Sequence, residues 1–276
     1  MGDEATAPGG GDLPVTAFSD IDGTGDVHAY VVALEALDAL REMQQLKGLA
    51  RTGIGPGRSV LDVGCGFGLE TNRLAALVAP GGHVVGLDHS PAFIAEARRR
   101  ASAAGSDATF EVGDAQALPF ADATFDVSRA ERVLTYLADP EKALAELRRV
   151  TRPGGTVALL EPDFDSNAIN LSDRGLTRRV LAHACDSGVV NAWLVRDLAR
   201  MLRRAGFRDV HIDTRIVLFT PDLAFGYFGQ MGRAAAEAGV IRSAEAAKWR
   251  AELEANYHAD HLSATIGYYL FRATVA

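Results

Sequence analysis

Cysteine is almost missing from this chain: Cys65 and Cys185 are the two in 276 residues. That is too few for a disulfide framework, and they lack the paired spacing of a zinc site. A reducing, cytoplasmic setting is expected, with no metal. Cationic excess is missing as well, since 28 Lys plus Arg stand against 36 Asp plus Glu for a formal net charge of -8. Such a balance repels a polyanion over long range unless basic residues gather locally, which disfavours nucleic acid as a partner. No apolar run approaches the roughly 18 to 20 residues that cross a bilayer, so no membrane span is expected. Residues 1–12 are acidic and rich in Gly and Pro, without the basic start and apolar stretch of a secretory signal. His258 and His261 are spaced to share a helix face, but no acids or cysteines accompany them in the order a metal would need. There is no internal repeat.

What is present suits one sizeable α/β domain with accessory helices, 48% of residues being hydrophobic. Residues 1–19 carry loop formers without apolar periodicity and read as a flexible leader. From Asp26, a plausible N-cap, the residues Val27, Tyr30, Val31, Leu34, Leu37, Leu40, Met43 and Leu46 recur at helical spacing, so 20–52 reads as a helical cover. After the breakers at 53–57, strands expected at 59–63, 83–87, 108–112, 125–128 and 156–160 alternate with helices at 69–78, 91–103 and 140–150. This alternation predicts a mostly parallel sheet with helices on both faces. Downstream, a helix at 192–205 leads to a strand at 210–219. Two Ala-rich helical stretches, 223–238 and 244–257, precede a last strand at 265–275. The two late strands predict an antiparallel edge pair, and the inserted helices (about 222–262) predict a lid.

The chemistry is expected at Val60-Leu61-Asp62-Val63-Gly64-Cys65-Gly66-Phe67-Gly68, where a buried strand runs through a glycine turn into a helix. Glycines permit the sharp reversal and let backbone N–H groups meet a ligand beside a helix N-terminus. A dinucleotide turn would need Gly-x-Gly-x-x-Gly, but Leu69 occupies the third glycine's place. The pattern Asp-x-Gly-x-Gly-x-Gly instead resembles the cofactor motif of Rossmann-like (class I) methyltransferases that use S-adenosylmethionine (SAM). Matching motifs follow in order over residues 55–163: Val85-Gly86-Leu87-Asp88, Gly113-Asp114-Ala115, Leu118-Pro119-Phe120, Thr124-Phe125-Asp126-Val127 and Arg152-Pro153-Gly154-Gly155. Their spacing is most similar to the small-molecule branch, which includes ubiquinone, menaquinone and natural-product methyltransferases.

The resemblance implies an α/β, Rossmann-like, seven-stranded and mostly parallel sheet with an antiparallel edge strand, residues 53–163 forming the SAM core and 164–276 a C-terminal half. It implies a SAM-dependent enzyme that releases S-adenosylhomocysteine (SAH) and methylates a small molecule of specialised metabolism on O, N or C. It places cofactor contacts at Asp62, Gly64, Gly66, Gly68, Asp88 with His89, Asp114 with Ala115, Ala130 through its backbone, and Tyr30 toward the methionine carboxylate. Where relatives commonly read Leu-His-His-Leu, this chain has Leu134-Thr135-Tyr136-Leu137 after Arg129-Ala130-Glu131-Arg132, which leaves the acceptor-facing side chain open. If the acceptor must lose a proton, Glu161, Glu131 and His183 are the candidate bases, in that order. Trp193, Tyr227, Phe228 and Tyr257 are expected to line an apolar acceptor pocket.

Blander readings stand beside these. The glycines can make a tight turn alone, Asp88 and Asp114 can be surface acids, Glu131 and Arg132 a solvated pair, Tyr30 core packing, and Cys65 a small buried residue. Rival functions are a SAM-binding protein without transfer and, on the same general fold, a nicotinamide oxidoreductase. The sequence holds no Asn-Pro-Pro-Tyr or Pro-Cys motif for nucleic-acid methylation, and too few cysteines for arsenic. A homodimer is allowed.

Overall fold

The computed structural model describes residues 27–276; the expected leader and the Asp26 cap lie outside them. The apolar stripe at the front, expected as one helix, is two: α1 (Val27–Asp38) and α2 (Arg41–Ala50), with Leu40 in extended backbone between them. Alternating units follow as β1 (Ser59–Val63), α3 (Leu69–Val78), β2 (His83–Asp88), α4 (Pro91–Ala104), β3 (Thr109–Val112), β4 (Phe125–Glu131), α5 (Pro140–Val150) and β5 (Thr151–Ile169). Ser90 and Asp139 cap α4 and α5 by accepting from the N–H groups of Phe93 and Lys142, each ahead of a proline at the first helical position. The Pro-Gly-Gly turn bulges out of β5, so that pairing with β4 passes from Phe125↔Thr151 to Val127↔Thr156.

Then come α6 (Arg174–Gly188), α7 (Leu194–Arg204), β6 (Phe207–Leu218), α8 (Pro221–Phe228), α9 (Met231–Glu237), α10 (Ser243–His258) and β7 (Ala264–Val275). The stretch expected as one helix over 223–238 breaks at Gly229 and Gln230. β5 runs well past its expected end, because residues 161–169 continue to pair with β7.

The strand order is β3-β2-β1-β4-β5-β7-β6. Strands β1 to β5 are parallel, while β7 runs antiparallel to both β5 and β6. This is the expected seven-stranded, mostly parallel, Rossmann-like sheet, with the antiparallel β6/β7 pair at one edge and β6 outermost. The chain winds outward through β2 and β3 and returns to β4 on the other side of β1. That reversal opens a crevice beyond the carboxyl ends of β1 and β4, where open α/β sheets bind ligands.

Successive strand residues face opposite sides of the sheet, and this alternation sorts the core. Leu61, Val63, Val85, Leu87, Val157 and Leu159 meet Leu144 and Leu147 of α5 and Leu198 and Leu202 of α7. Val60, Val84 and Val127 face the other way, onto Leu74 and Val78 of α3. On that second side Ala158, Leu160, Ile266, Tyr268 and Leu270 share one core with α2, α6 and α8 to α10. Each fully buried Leu, Val or Phe contributes about 1.5 to 3 kcal/mol of transfer free energy, so both faces are committed. The same parity carries Asp62, Arg129 and Glu131 onto the α3 side.

Candidate functional site

A cavity of about 410 Å³ lies over the carboxyl ends of β1, β2 and β4, with the glycine turn as its floor. Gly64 adopts φ +67°, and a Cβ there would stand 2.1 Å from Val133 Cγ2, so both conformation and space demand glycine. Gly68 (φ +79°) caps α3 from the left-handed region, and a Cβ would strike Phe110 at 2.8 Å. Gly64 and Gly66 line the cavity; Gly68 does not, and its place is helix packing.

Asp88 ends β2 on the same side. Its Oδ2 accepts from the Gly66 N–H at 2.9 Å and its Oδ1 from the Ser90 N–H at 3.0 Å. An ionised carboxylate has about four acceptor positions, so two remain for hydroxyl groups of a ligand. His89 also lines the cavity, its Nδ1 3.3 Å from Asp88 Oδ1. Asp114 and Ala115 form the wall after β3, where Asp114 Oδ1 accepts from the Gln116 N–H at 2.8 Å. A nucleoside fits this set: glycine floor, a carboxylate with vacant lone pairs for a sugar, and an exposed acid with adjacent backbone for a base.

Asp62 also lines the cavity, but its carboxylate is taken: Thr71 Oγ1 donates to it at 2.6 Å and Arg129 Nη1 at 2.8 Å. The Asp62↔Arg129 register between β1 and β4 sets the two opposite each other. Arg129, 2% exposed, also donates to Glu131 Oε2 at 2.9 Å. Lys47 of α2 joins Glu131, at 3.1 Å, to Asp38 of α1, which Arg73 of α3 also contacts. Arg51 holds Glu70 through two hydrogen bonds. These buried charges tie α1, α2 and α3 to the sheet beside the glycine turn. Although burial opposes ionisation, the pull of Lys47, Arg132 and Arg129 holds the Glu131 carboxyl far below its usual range. A carboxylate held so low has little affinity for a proton, which argues against Glu131 as a base.

The loop after β4 forms the far wall through Arg132, Val133, Tyr136 and Leu137. Glu161 fastens this loop from below, accepting from the N–H groups of Val133 at 3.0 Å and Leu134 at 2.9 Å and from Thr135 Oγ1 at 2.6 Å. Its side chain is fully buried, which shifts its carboxyl upward against the pull of those hydrogen bonds, and it lies outside the cavity lining, in a positioning place rather than the basic one expected. The reason is parity, since Glu161 shares the sheet face of Val157 and Leu159. His183, on α6, is paired with Ser187 and is no part of the cavity wall.

Tyr30 is buried in a cluster with Val31, Phe67 and Phe93, behind the last two, which are themselves wall residues. Ala130 turns its side chain into the core of the opposite face. Of the aromatics expected around an acceptor, none lines this cavity. Trp193 is exposed beneath Arg196, Phe228 is core, Tyr257 donates to Asp222, and Tyr227 sits deeper, accepting from Asn167 at 3.3 Å. Lys47 and Arg129 were not expected at the site. Their signal was available: a charge at the centre of apolar β4, and a lysine on the apolar face of a covering helix, both require buried partners.

With this geometry in view, the comparisons with known proteins are specific. Residues 54–206 match a family model described as a methyltransferase domain. An uncharacterised 37.1 kDa protein of a Streptomyces fradiae transposon is 40% identical over 182 residues, 66% of this chain and 52% of that protein. A demethylmenaquinone methyltransferase of Thermus thermophilus is 41% identical over 128 residues, covering 45% of this chain and 56% of its own. The chain thus spans about half the length of these curated relatives. Among solved structures, the [4+2]-cyclase SpnF superposes with a TM-score of 0.55 at 25% identity, over 84% of this chain and 80% of that one. Match, sheet order and glycine turn agree, and the chain belongs to the methyltransferase-domain family of class I, Rossmann-like fold.

Proposed function

We propose that the protein is a SAM-dependent methyltransferase acting on a small molecule of specialised metabolism. The observation that carries this reading is Asp88, which braces the glycine turn through Gly66 while keeping acceptor positions directed to a nucleoside-sized cavity. Asp88 would hold the ribose hydroxyls, Asp114 with Ala115 the adenine, and Gly64, Gly66 and the Ala130 backbone the methionine end. The cofactor, when bound, supplies a methyl group already activated on sulfur. The chain's residues then have to align the acceptor and keep water out, which is where most of such a rate enhancement arises. Glu161 contributes by holding the 133–135 loop, and α1 and α2 by closing one side of the cavity.

In domain terms, residues 20–52 act as a cover, 53–163 as the cofactor core and 164–276, with the helices of 222–262, as an acceptor half that adjoins the cavity without lining it. A cytoplasmic protein, active alone or as a homodimer and without a nucleic-acid partner, fits this role. Among the described residues no helix is long and apolar enough to cross a membrane.

Calorimetry with SAH tests the cofactor, with one site per chain expected and no heat from NADH; the reverse pattern overturns the proposal. Labelled methyl groups from SAM, offered with a metabolite panel, then test transfer. A second reading, SAM binding without transfer, draws on the cyclase named above among similar folds. Absence of SAH release with every acceptor, despite tight SAM binding, would favour it.

A further inference from the structure

The methyl-transfer reading leaves the acceptor's chemistry open, and the cavity's far wall bears on it. Arg132 follows β4 with φ +54°, a left-handed conformation that is strained for a long side chain and recurs at ligand sites. Its own N–H donates to Leu160 O at 2.8 Å, which fixes this geometry. The guanidinium is largely buried, with Nη2 3.3 Å from Glu131 Oε1. Nη1 is buried with no partner, although the side chain lines the cavity. A buried charged donor left unmatched is costly, and an acceptor arriving with a ligand removes the cost.

The surroundings narrow what that ligand group is. Burial raises the hydroxyl of Tyr136, the tyrosine of this wall, above the usual tyrosine range, so it remains protonated and can donate. Of the carboxylates nearby, Glu131 is held ionised by three cations, while Glu161, which burial shifts upward, is filled by three donors and lies outside the cavity lining. On the 132–137 wall the side chains that can donate are Arg132 and Tyr136. A cationic group set against Arg132 itself would meet a like charge.

We propose that the acceptor presents an oxyanion, a carboxylate or the ionised oxygen of an acidic phenol or enol, to Arg132 Nη1 beside Tyr136. The test uses protein saturated with SAH, so that the cofactor's own carboxylate is already placed. Benzoate, 4-nitrophenolate and neutral benzamide are titrated in turn by ligand-observed NMR. One or both anions are expected to bind at least about tenfold more tightly than benzamide, and which one does so separates carboxylate from phenolate. Arg132→Gln is expected to lose about tenfold or more of that affinity, the size of one charge-assisted hydrogen bond, with SAH affinity within about twofold of the parent.

Arg132→Lys keeps the charge without the planar fork and should fall between; it decides the matter if the glutamine variant does not fold. Equal binding of anions and benzamide, binding of none, or anion affinity indifferent to Arg132 overturns the proposal. So does loss of SAH affinity with anion binding intact, since the guanidinium would then serve the cofactor. Failure of the parent protein to bind SAH at all defeats the methyl-transfer reading itself, a separate and visible result.

Discussion

Glu161 offers the sharpest test of how the far wall is built. Its carboxylate accepts from Val133 N–H, Leu134 N–H and Thr135 Oγ1 at 3.0, 2.9 and 2.6 Å, with no solvent exposure. In Glu161→Ala the hydroxyl can turn elsewhere, but two backbone donors are stranded. At about 1 to 3 kcal/mol for each buried unsatisfied group, the loss is about 2 to 6 kcal/mol. Glu161→Gln keeps the shape: its amide oxygen can serve both N–H groups while its NH₂ donates to the threonine hydroxyl. The extra strength of bonds to a charge is lost, about 1 to 2 kcal/mol, but so is the cost of burying that charge, which shifts the Glu161 carboxyl upward. Urea denaturation should therefore place the glutamine variant near the parent and the alanine variant well below both, and SAH affinity should follow, because Val133 abuts Gly64. An alanine variant as stable as the parent would refute this reasoning. So would a glutamine variant with parental stability and SAH affinity but no methyl transfer, which would return Glu161 to the chemistry.

Asp88→Asn should raise the SAH dissociation constant about 10- to 100-fold in calorimetry, one or two charge-assisted bonds being weakened. Gly64→Ala combines φ +67° with a 2.1 Å clash against Val133, so a loss of about 2 kcal/mol or more in urea denaturation and at least about tenfold weaker SAH binding are expected. Asp126 accepts from Ser59 N–H and meets Arg58 and Arg152 at 2.9 and 2.8 Å; against the opposing effect of burial, these hold its carboxyl below the usual range. A depressed native value stabilises the fold above the unfolded value near pH 4 and is lost as pH falls through the native one. Asp126→Asn should thus cost about 1 kcal/mol at neutral pH, both arginines being partly exposed, with the gap to the parent closing toward pH 3 in acid denaturation series.

The sheet was legible because its strands are short apolar runs bounded by glycine and proline, and the cofactor turn because Asp62, Gly64, Gly66 and Gly68 sit at one spacing. Asp88 and Asp114 could be placed for the same reason, each standing directly after a strand. The break between α1 and α2 was not legible: Asp38-Ala39-Leu40 contains neither glycine nor proline, and the apolar spacing continues across it. Side-chain direction was the other limit. Glu161 was visible as an acid late in a strand, but whether it faced ligand or loop depended on which side of the sheet the 133–135 segment crosses. The aromatics of α8 and α10 were expected at a pocket because size and apolarity suit one. They equally suit the core shared by the sheet, α2, α6 and α8 to α10, in which Phe228 and Trp249 lie.

The position of β7 has a consequence for how the chain assembles. Residues 264–275 wedge between β5 and β6, so β6 has no neighbour on its inner flank until they arrive. During synthesis the first five strands can zip together early, whereas residues 207–218 must wait, tethered only by helices, for a segment made nearly fifty residues later. Pairings so distant along the polymer are slow to form. A lesion within the late wedge would therefore deprive β6 of its neighbour as well as disturbing β7 itself.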